Sequence, residues 1–220
     1  MPSERAVRAV VDSFFTAIAR EHWDSAAALV DLARFEPYFK EQVSNARGAI
    51  PPHEITVEEM MANDSTLPRA VAEWQVAQMK KYSGARSFGD MSFEFAGVHT
   101  QKELFALTVP EAAARWIEAQ DERVQFREAL RRMGCPLTSM PTEFPATKQT
   151  VLATSVANDS TAYVVHTDDR FSGDQFWMES ERVMVLHKRD GHWRIAPRGN
   201  LLRPNGGSIG FAGECPKKGK

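Results

Sequence analysis

Apolar residues recur every three or four positions near the start of the chain and predict an amphipathic helix over residues 3–20. Ser3 is the expected N-cap, and Glu4 lies in the first turn, where a carboxylate interacts favourably with the helix dipole. A stripe this wide must be covered, and the late β-rich part of the chain is its expected partner. The stripe consists of Val7, Val10, Val11, Phe14, Phe15, Ile18 and Ala19.

Residues 147–197 change to a pattern rich in Val, Thr, Tyr and Trp that is interrupted by turn residues, which is typical of antiparallel strands. Asp190-Gly191 is a strong signal for a two-residue hairpin loop, so the segment is predicted to be a β-meander. A polar loop over residues 168–175 is expected between the second and third strands. The four predicted strands cover residues 150–157, 160–167, 179–187 and 192–196.

Helical patterns fill most of the chain between these two parts. A second helix is expected to end near Pro37, because proline interrupts a helix interior, and a third continues toward residue 45. Thr56 and Glu59 fit a capping box at the start of a short helix, and Pro68 fits the first turn of the next one. The pattern therefore favours several helices in this part of the chain.

A short strand is predicted where Met91, Phe93 and Phe95 alternate with polar or small residues. Pro110 then opens a long predicted helix, which Gly134 ends. Arginines and acidic residues alternate on the outer face of this helix, and we interpret that face as solvated and ion-paired.

The composition is that of an ordinary soluble globular protein, with 43% hydrophobic and 25% charged residues. A formal net charge of -2 gives no reason to expect nucleic acid or an anionic membrane as a partner. No apolar run approaches the roughly 20 residues of a membrane helix, and the N-terminus lacks the apolar region of a secretory signal. We therefore expect a cytoplasmic protein in which Cys135 and Cys215 are unpaired thiols.

No motif predicts a cofactor or a metal. The two cysteines lie far apart in the sequence and outside any histidine cluster, so no zinc site is expected. The glycine-rich stretch at residues 206–210 does not follow a strand and lacks the lysine of a phosphate-binding loop, so no nucleotide cofactor is expected.

Two parts of the sequence resemble the nuclear-transport-factor-2-like superfamily, which includes ketosteroid isomerases and polyketide cyclases. A first helix that leads into Trp23-Asp24 is similar to the opening of these proteins. The stretches Ala162-Tyr163-Val164-Val165 and Gly191-His192-Trp193-Arg194-Ile195 are similar to their inner strands and hairpin. The resemblance covers less than half of the 220 residues.

This resemblance implies an α+β fold in which N-terminal helices pack on a curved antiparallel sheet shaped like a cone. Members of the superfamily usually have one short helix and a strand between these parts, whereas a much longer segment intervenes here. We expect residues 1–45 to form the N-terminal helices and residues 46–146 to form a mainly helical insertion that includes the short strand. Residues 147–200 then form the meander of the same domain, and residues 201–220 form a flexible tail.

Enzymes of this superfamily use a buried Asp, His or Tyr inside the cone for proton transfer, so the resemblance implies catalytic candidates on the second strand. They are Tyr163, His166 and Asp168, and alternation places Tyr163 on one face and the other two on the opposite face. Asp169 and His187 are further candidates near the polar loop. The alternative is that all of these are ordinary edge or rim residues of the sheet.

Trp74 and Trp116 lie on predicted helices of the insertion. A tryptophan on an amphipathic helix usually belongs to the core, but exposed tryptophans on two such helices would form a face that binds a partner or ligand. Both residues are therefore candidates for such a face.

These observations lead to two alternative functions. The first is a non-catalytic domain that binds a small hydrophobic ligand or a protein, with identical subunits paired sheet to sheet as a homodimer. The second is an isomerase, cyclase or dehydratase that acts on a small hydrophobic substrate by acid–base chemistry. An enzyme of this kind needs a cavity of roughly 300 Å³ or more with a few convergent polar groups.

Overall fold

The computed structural model describes residues 2–48, 55–64, 66–83, 90–139, 146–172, 175–198 and 201–202. Within these ranges eight α-helices precede an open four-stranded antiparallel sheet, so the fold is α+β, as the sequence predicts. Each strand pairs with its neighbours in sequence, which makes the sheet a meander. The strands are β1 (Ala146–Asn158), β2 (Thr161–Ser172), β3 (Gln175–Arg189) and β4 (His192–Ile195).

The first helix begins at Pro2, so Ser3 lies in its first turn and is not the N-cap. The predicted capping box of Thr56 and Glu59 is present at the start of the fourth helix. The helices are α1 (Pro2–Ala19), α2 (Trp23–Ala27), α3 (Leu32–Gly48), α4 (Val57–Asn63), α5 (Arg69–Ser83), α6 (Gln101–Ala106), α7 (Val109–Glu118) and α8 (Glu122–Arg132), followed by a short 3-10 helix, Leu137–Ser139.

The main hydrophobic core lies between α1 and the inner face of the sheet. Most of the apolar stripe of α1 is buried there, and Val7 and Phe14 are fully inaccessible to solvent, whereas Ala19 at the end of the helix is exposed. Val164 and Leu186 contribute from the sheet, and Ile117 of α7 belongs to the same core. Part of the predicted insertion is therefore built into the main core. Within the described residues, no residue of α4 or α5 belongs to it.

The turn between β3 and β4 has the conformation that its sequence predicts. Asp190 has φ 49° and Gly191 has φ 79°, and two successive positive φ values are typical of the tight hairpin turn that Asp-Gly favours. The polar loop expected over residues 168–175 is wrong, because β2 continues to Ser172 and β3 begins at Gln175. Residues 168–171 pair with both neighbouring strands, since backbone pairing does not require apolar residues.

Pro37 does not end a helix as predicted. It lies inside α3, near the helix start, where its missing N–H removes one helical hydrogen bond. Phe35 and Phe39 on either side of it are buried and anchor the helix to the core. Tertiary packing therefore outweighs the local effect of the proline.

The predicted strand around residues 91–95 is also wrong, because residues 90–98 form successive turns. The N–H groups of Glu94 and Phe95 both donate to the carbonyl of Met91, at 2.8 and 2.7 Å. Phe95 is fully buried in the main core. The turns bury Ser92 and Phe95 and leave Phe93 exposed, so the alternating pattern does not correspond to alternating faces of a strand.

The long helix predicted from Pro110 to Gly134 is two helices. Asp121 caps α8 by accepting a hydrogen bond from the N–H of Arg123 at 2.8 Å, so the chain breaks before it. Gly134 has φ 66° and follows the end of α8 as predicted.

Two expectations about the C-terminal region need correction. Cys135 is disulfide-bonded, so the expectation of an unpaired thiol is wrong at this residue, and Cys215 lies outside the described residues. Leu201 is buried rather than part of a flexible tail, and its N–H donates to Gln120 Oε1 at 2.6 Å. Residues 203–220, which include the glycine-rich stretch, lie outside the described residues.

Candidate functional sites

The three catalytic candidates on β2 divide between the two faces of the sheet as predicted. His166 and Asp168 are each 2% exposed on the inner face, whereas Tyr163 is 42% exposed on the outer face. The alternative that all three are rim residues is therefore wrong for His166 and Asp168. Tyr163 is not brought together with the other two.

His166 and Asp168 belong to a buried polar cluster. Nδ1 of His166 lies 3.6 Å from Oδ1 of Asp168, and the ring of Phe15 packs against the imidazole with the centroids 5.0 Å apart. Arg182 of β3 is directly opposite His166, and its Nη1 donates to Oδ2 of Asp168 at 3.1 Å. The same guanidinium donates to the carbonyl of Leu201 at 3.2 Å, so the cluster holds the chain after β4.

The buried cluster does not line any of three cavities that described residues form. These cavities lie between α1 and β1, between α2 and α7, and along the polar side of α1, with volumes of about 810, 590 and 350 Å³. The inner face of the sheet beside His166 is filled by aromatic and aliphatic side chains, including Phe14 and Phe15. Asp168 and Arg182 thus form a buried ion pair, and His166 lies beside it.

The other two acid–base candidates do not join this cluster. Asp169 follows Asp168 and points to the opposite face of the strand. His187 pairs with Thr161 at one end of the ladder, whereas Asp168 pairs with Ser180 toward the other end. The sequence analysis therefore placed His187 too close to the other candidates, because residues 168–172 continue β2 instead of forming a polar loop.

The two tryptophan candidates have different surroundings. Trp116 is half-buried, and its ring packs on Phe35 and Tyr38 with centroids 5.4 and 6.4 Å apart. Trp74 of α5 is 62% exposed. Trp116 is thus a core residue, and Trp74 is a surface residue.

Trp74 is one of four exposed large apolar side chains on and just before the α4–α5 hairpin. Ile55, Val71 and Met79 are 41%, 39% and 46% exposed, which is unusual for large apolar side chains within one short segment. We call these four residues the α4–α5 surface. Arg69 crosses the hairpin and binds Glu58 at 3.0 Å and Glu73 at 3.1 Å, so the surface has a charged border.

A buried charge cluster beside α8 was missed by the sequence analysis. The side chain of Asp90 is 1% exposed and binds Arg131 and Arg132, the second at 3.3 Å. Glu128, also buried, accepts from Arg131 at 2.9 Å. The arginines were predicted to be ion-paired, but Asp90 precedes a segment that was assigned to a strand, so its role was not predicted.

The described residues contain no group of three or more His, Cys, Asp or Glu side chains that could hold a metal ion. Among the helices in the described ranges, none has the length and apolar character needed to cross a membrane. Comparison with protein-family models, with curated proteins and with solved structures finds no match to this chain.

Proposed function

We propose that this protein is a non-catalytic protein-interaction domain and that the α4–α5 surface is its recognition site. The observation that carries the proposal is the 62% exposure of Trp74. Tryptophan at the centre of a protein interface often supplies a large share of the binding energy. The resemblance to the nuclear-transport-factor-2-like superfamily is compatible with such a role, because that fold also serves as a scaffold for binding.

The position of α4 and α5 in the fold supports this role. Neither helix contributes to the main core within the described residues, so stabilisation of that core does not explain why the hairpin is apolar on the outside. Ala72 and Val76 are buried, so α5 already has a covered apolar face. Val71 and Trp74 lie outside that face and are available to another molecule.

The charged border indicates the chemistry of the partner. The described side chains of residues 55–79 include four carboxylates and one guanidinium, and the guanidinium is shared by Glu58 and Glu73. A segment that covers Trp74 and carries Lys or Arg at its edge would match both features. An amphipathic helix with a basic margin is the partner that fits this surface.

A photo-cross-linking amino acid at position 74, introduced in the protein's own cells, tests the proposal. We expect one defined cross-linked polypeptide, and we expect Trp74→Ser to abolish its co-purification. Leu137→Ser is the matched control, because Leu137 is 56% exposed and lies outside the α4–α5 surface. Equal co-purification with both variants would contradict the proposed site.

The outer face of the sheet supports the formation of a homodimer. Tyr163 pairs across the strands with Val185, and Val165 pairs with Val183, so these four side chains form an apolar strip. Val183 is 62% exposed. Burial of an apolar outer face of an antiparallel sheet is favourable, and the same face of a second copy would bury it.

The second candidate function is acid–base catalysis or binding of a small ligand at His166. One observation favours it, namely that Nδ1 of this buried imidazole has no hydrogen-bond partner among the residues that the structure describes. Native mass spectrometry of the protein from its own cells tests this candidate. A small molecule of defined mass that is bound by the wild type and lost in His166→Phe would favour it over the interaction domain.

A further inference from the structure

Basic side chains cover one end of the outer face of the sheet. In the β3–β4 hairpin His187 is opposite Arg194 and Arg189 is opposite His192, and residues that face each other across antiparallel strands project to the same side. The alternate pair in this hairpin, Leu186 and Ile195, is fully buried on the inner face. The hairpin is therefore apolar on the inside and basic on the outside.

The start of α3 adds to this group of charges. Val30 forms a parallel bridge with Ile195, which places residues 30–34 beside β4. Asp31 is 2% exposed there and binds Nε of Arg189 at 3.1 Å and Nε of Arg34 at 3.4 Å. One buried carboxylate thus holds two guanidinium groups together.

The described contacts at this site hold more positive charge than negative charge. Asp31 binds both Arg34 and Arg189, and strand pairing places a third guanidinium, that of Arg194, opposite His187. Both ion-paired arginines remain accessible, since the side chains of Arg34 and Arg189 are 45% and 50% exposed. The positive charge of Arg198 also acts on the imidazole of His187.

His187 lies among these guanidinium groups. Its Nε2 atom is buried and makes no hydrogen bond within the described part of the chain. Burial lowers the pKa of the imidazole, and the positive charges of Arg34 and Arg198 lower it further, while Asp31 and a backbone hydrogen bond at Ser160 act in the opposite direction. The pKa of the His187 imidazole therefore changes with the net charge of the groups around it.

We propose that this cluster binds a phosphoryl group as its dianion, with Arg34 and Arg198 as principal ligands beside His187. Guanidinium groups match the geometry of phosphate oxygens and bind them through paired hydrogen bonds. A dianion also offsets more of the excess positive charge than a single carboxylate does. Free phosphate and a phosphomonoester share this chemistry, and the site is independent of the α4–α5 surface.

Proton NMR of the His187 ring in the full-length protein tests the proposal, with His187→Gln used to assign the signal. The probes are inorganic phosphate and O-phosphoserine, each added at constant ionic strength. Bound dianion favours the imidazolium form, so the pKa of His187 should rise on binding. We expect Arg198→Gln to weaken binding about tenfold, which is the loss of one charge-assisted hydrogen bond.

Arg34→Gln should have a similar effect, and Arg198→Gln keeps the test valid if the change at α3 disturbs the fold. Arg8→Gln is the control, because Arg8 lies on α1 and pairs with Asp12. Tighter binding of O-phosphoserine than of phosphate would identify a phosphomonoester as the source, and the reverse order would identify free phosphate. A His187 signal that responds to neither probe, or that responds equally in Arg198→Gln, overturns the proposal.

Discussion

At the scale of single residues, the carboxyl group of Asp90 has a pKa far below its usual value. Burial alone would raise its pKa, but hydrogen bonds from Ser92 and Arg131 and the charge of Arg132 lower the pKa to about 2. The folded-state pKa is thus below the usual value of 3.8. Asp90 therefore stabilises the fold above about pH 4, and this contribution is lost as the pH falls toward 2.

Asp90→Asn should lower the free energy of unfolding at pH 7 by about 2 kcal/mol, because it removes a buried charge that two arginines share. Urea denaturation measures this change. The variant should also lose less stability than the wild type between pH 4 and pH 2. Asp12→Asn, which removes an exposed ion pair, should change stability by less than about 0.5 kcal/mol. Equal effects of both substitutions would contradict the buried cluster.

Asp168 gives a second prediction at this scale. Asp168→Ala should lower the free energy of unfolding by about 2–4 kcal/mol, because it removes the buried carboxylate that lies 3.1 Å from Arg182 and 3.6 Å from His166. Chemical denaturation at pH 7 is the measurement. Tyr163→Phe on the exposed face of the same strand should have little effect, and a destabilisation as large as that of Asp168→Ala would argue against the assigned faces.

Alternation along β2 was enough to place these residues on the correct faces of the sheet. It did not reveal Arg182 as the partner of Asp168, because pairing register is a property of two strands and not of one. Periodicity also failed to separate Trp74 from Trp116. Both occupy helices with apolar stripes, and only the tertiary packing decides that one is covered and the other exposed.

At the scale of elements, Cys135, which follows α8, is disulfide-bonded. A disulfide bond reduces the entropy of the unfolded chain and typically contributes about 2–4 kcal/mol. We expect Cys135→Ser to lower the free energy of unfolding by this amount. Reductant should destabilise the wild type and leave the variant unchanged, and a wild type that is insensitive to reductant would contradict this contribution.

The elements that could be predicted are those whose own sequence determines them. The stripe of α1, the capping box of α4 and the Asp190-Gly191 turn each carry a local signal, and all three are present. The turns at residues 90–98 and the break between α7 and α8 depend on contacts with other parts of the chain. Ala96 donates its N–H to the carbonyl of Arg115 at 3.0 Å, and no local pattern encodes such a bond.

At the scale of the whole molecule, the apolar strip on the outer face of the sheet predicts a homodimer. Light scattering coupled to size-exclusion chromatography should give about twice the chain mass of 24.7 kDa. Val183→Glu should shift the protein to monomer, because it places an uncompensated charge in the centre of the interface. Leu137→Glu, at an exposed site outside the strip, should leave the dimer intact. A wild type that is monomeric at high concentration would remove this proposal.

The general architecture at this scale follows from the sequence, since an amphipathic helix and a meander have to cover each other. The division of the helical middle part does not. Ile117 and Leu104 join the main core, while α4 and α5 remain outside it. Both groups of helices are amphipathic, so their sequence patterns do not distinguish them. The difference arises from which apolar faces pack against the rest of the main core.

The hydrogen bonds of Leu201 join parts of the molecule that lie far apart in the sequence. The Leu201 N–H donates to Gln120, which follows α7, and the Leu201 carbonyl accepts from Arg182 of β3. A chain truncated after β4 would therefore lose a hydrogen bond in the helical part and another in the sheet at the same time.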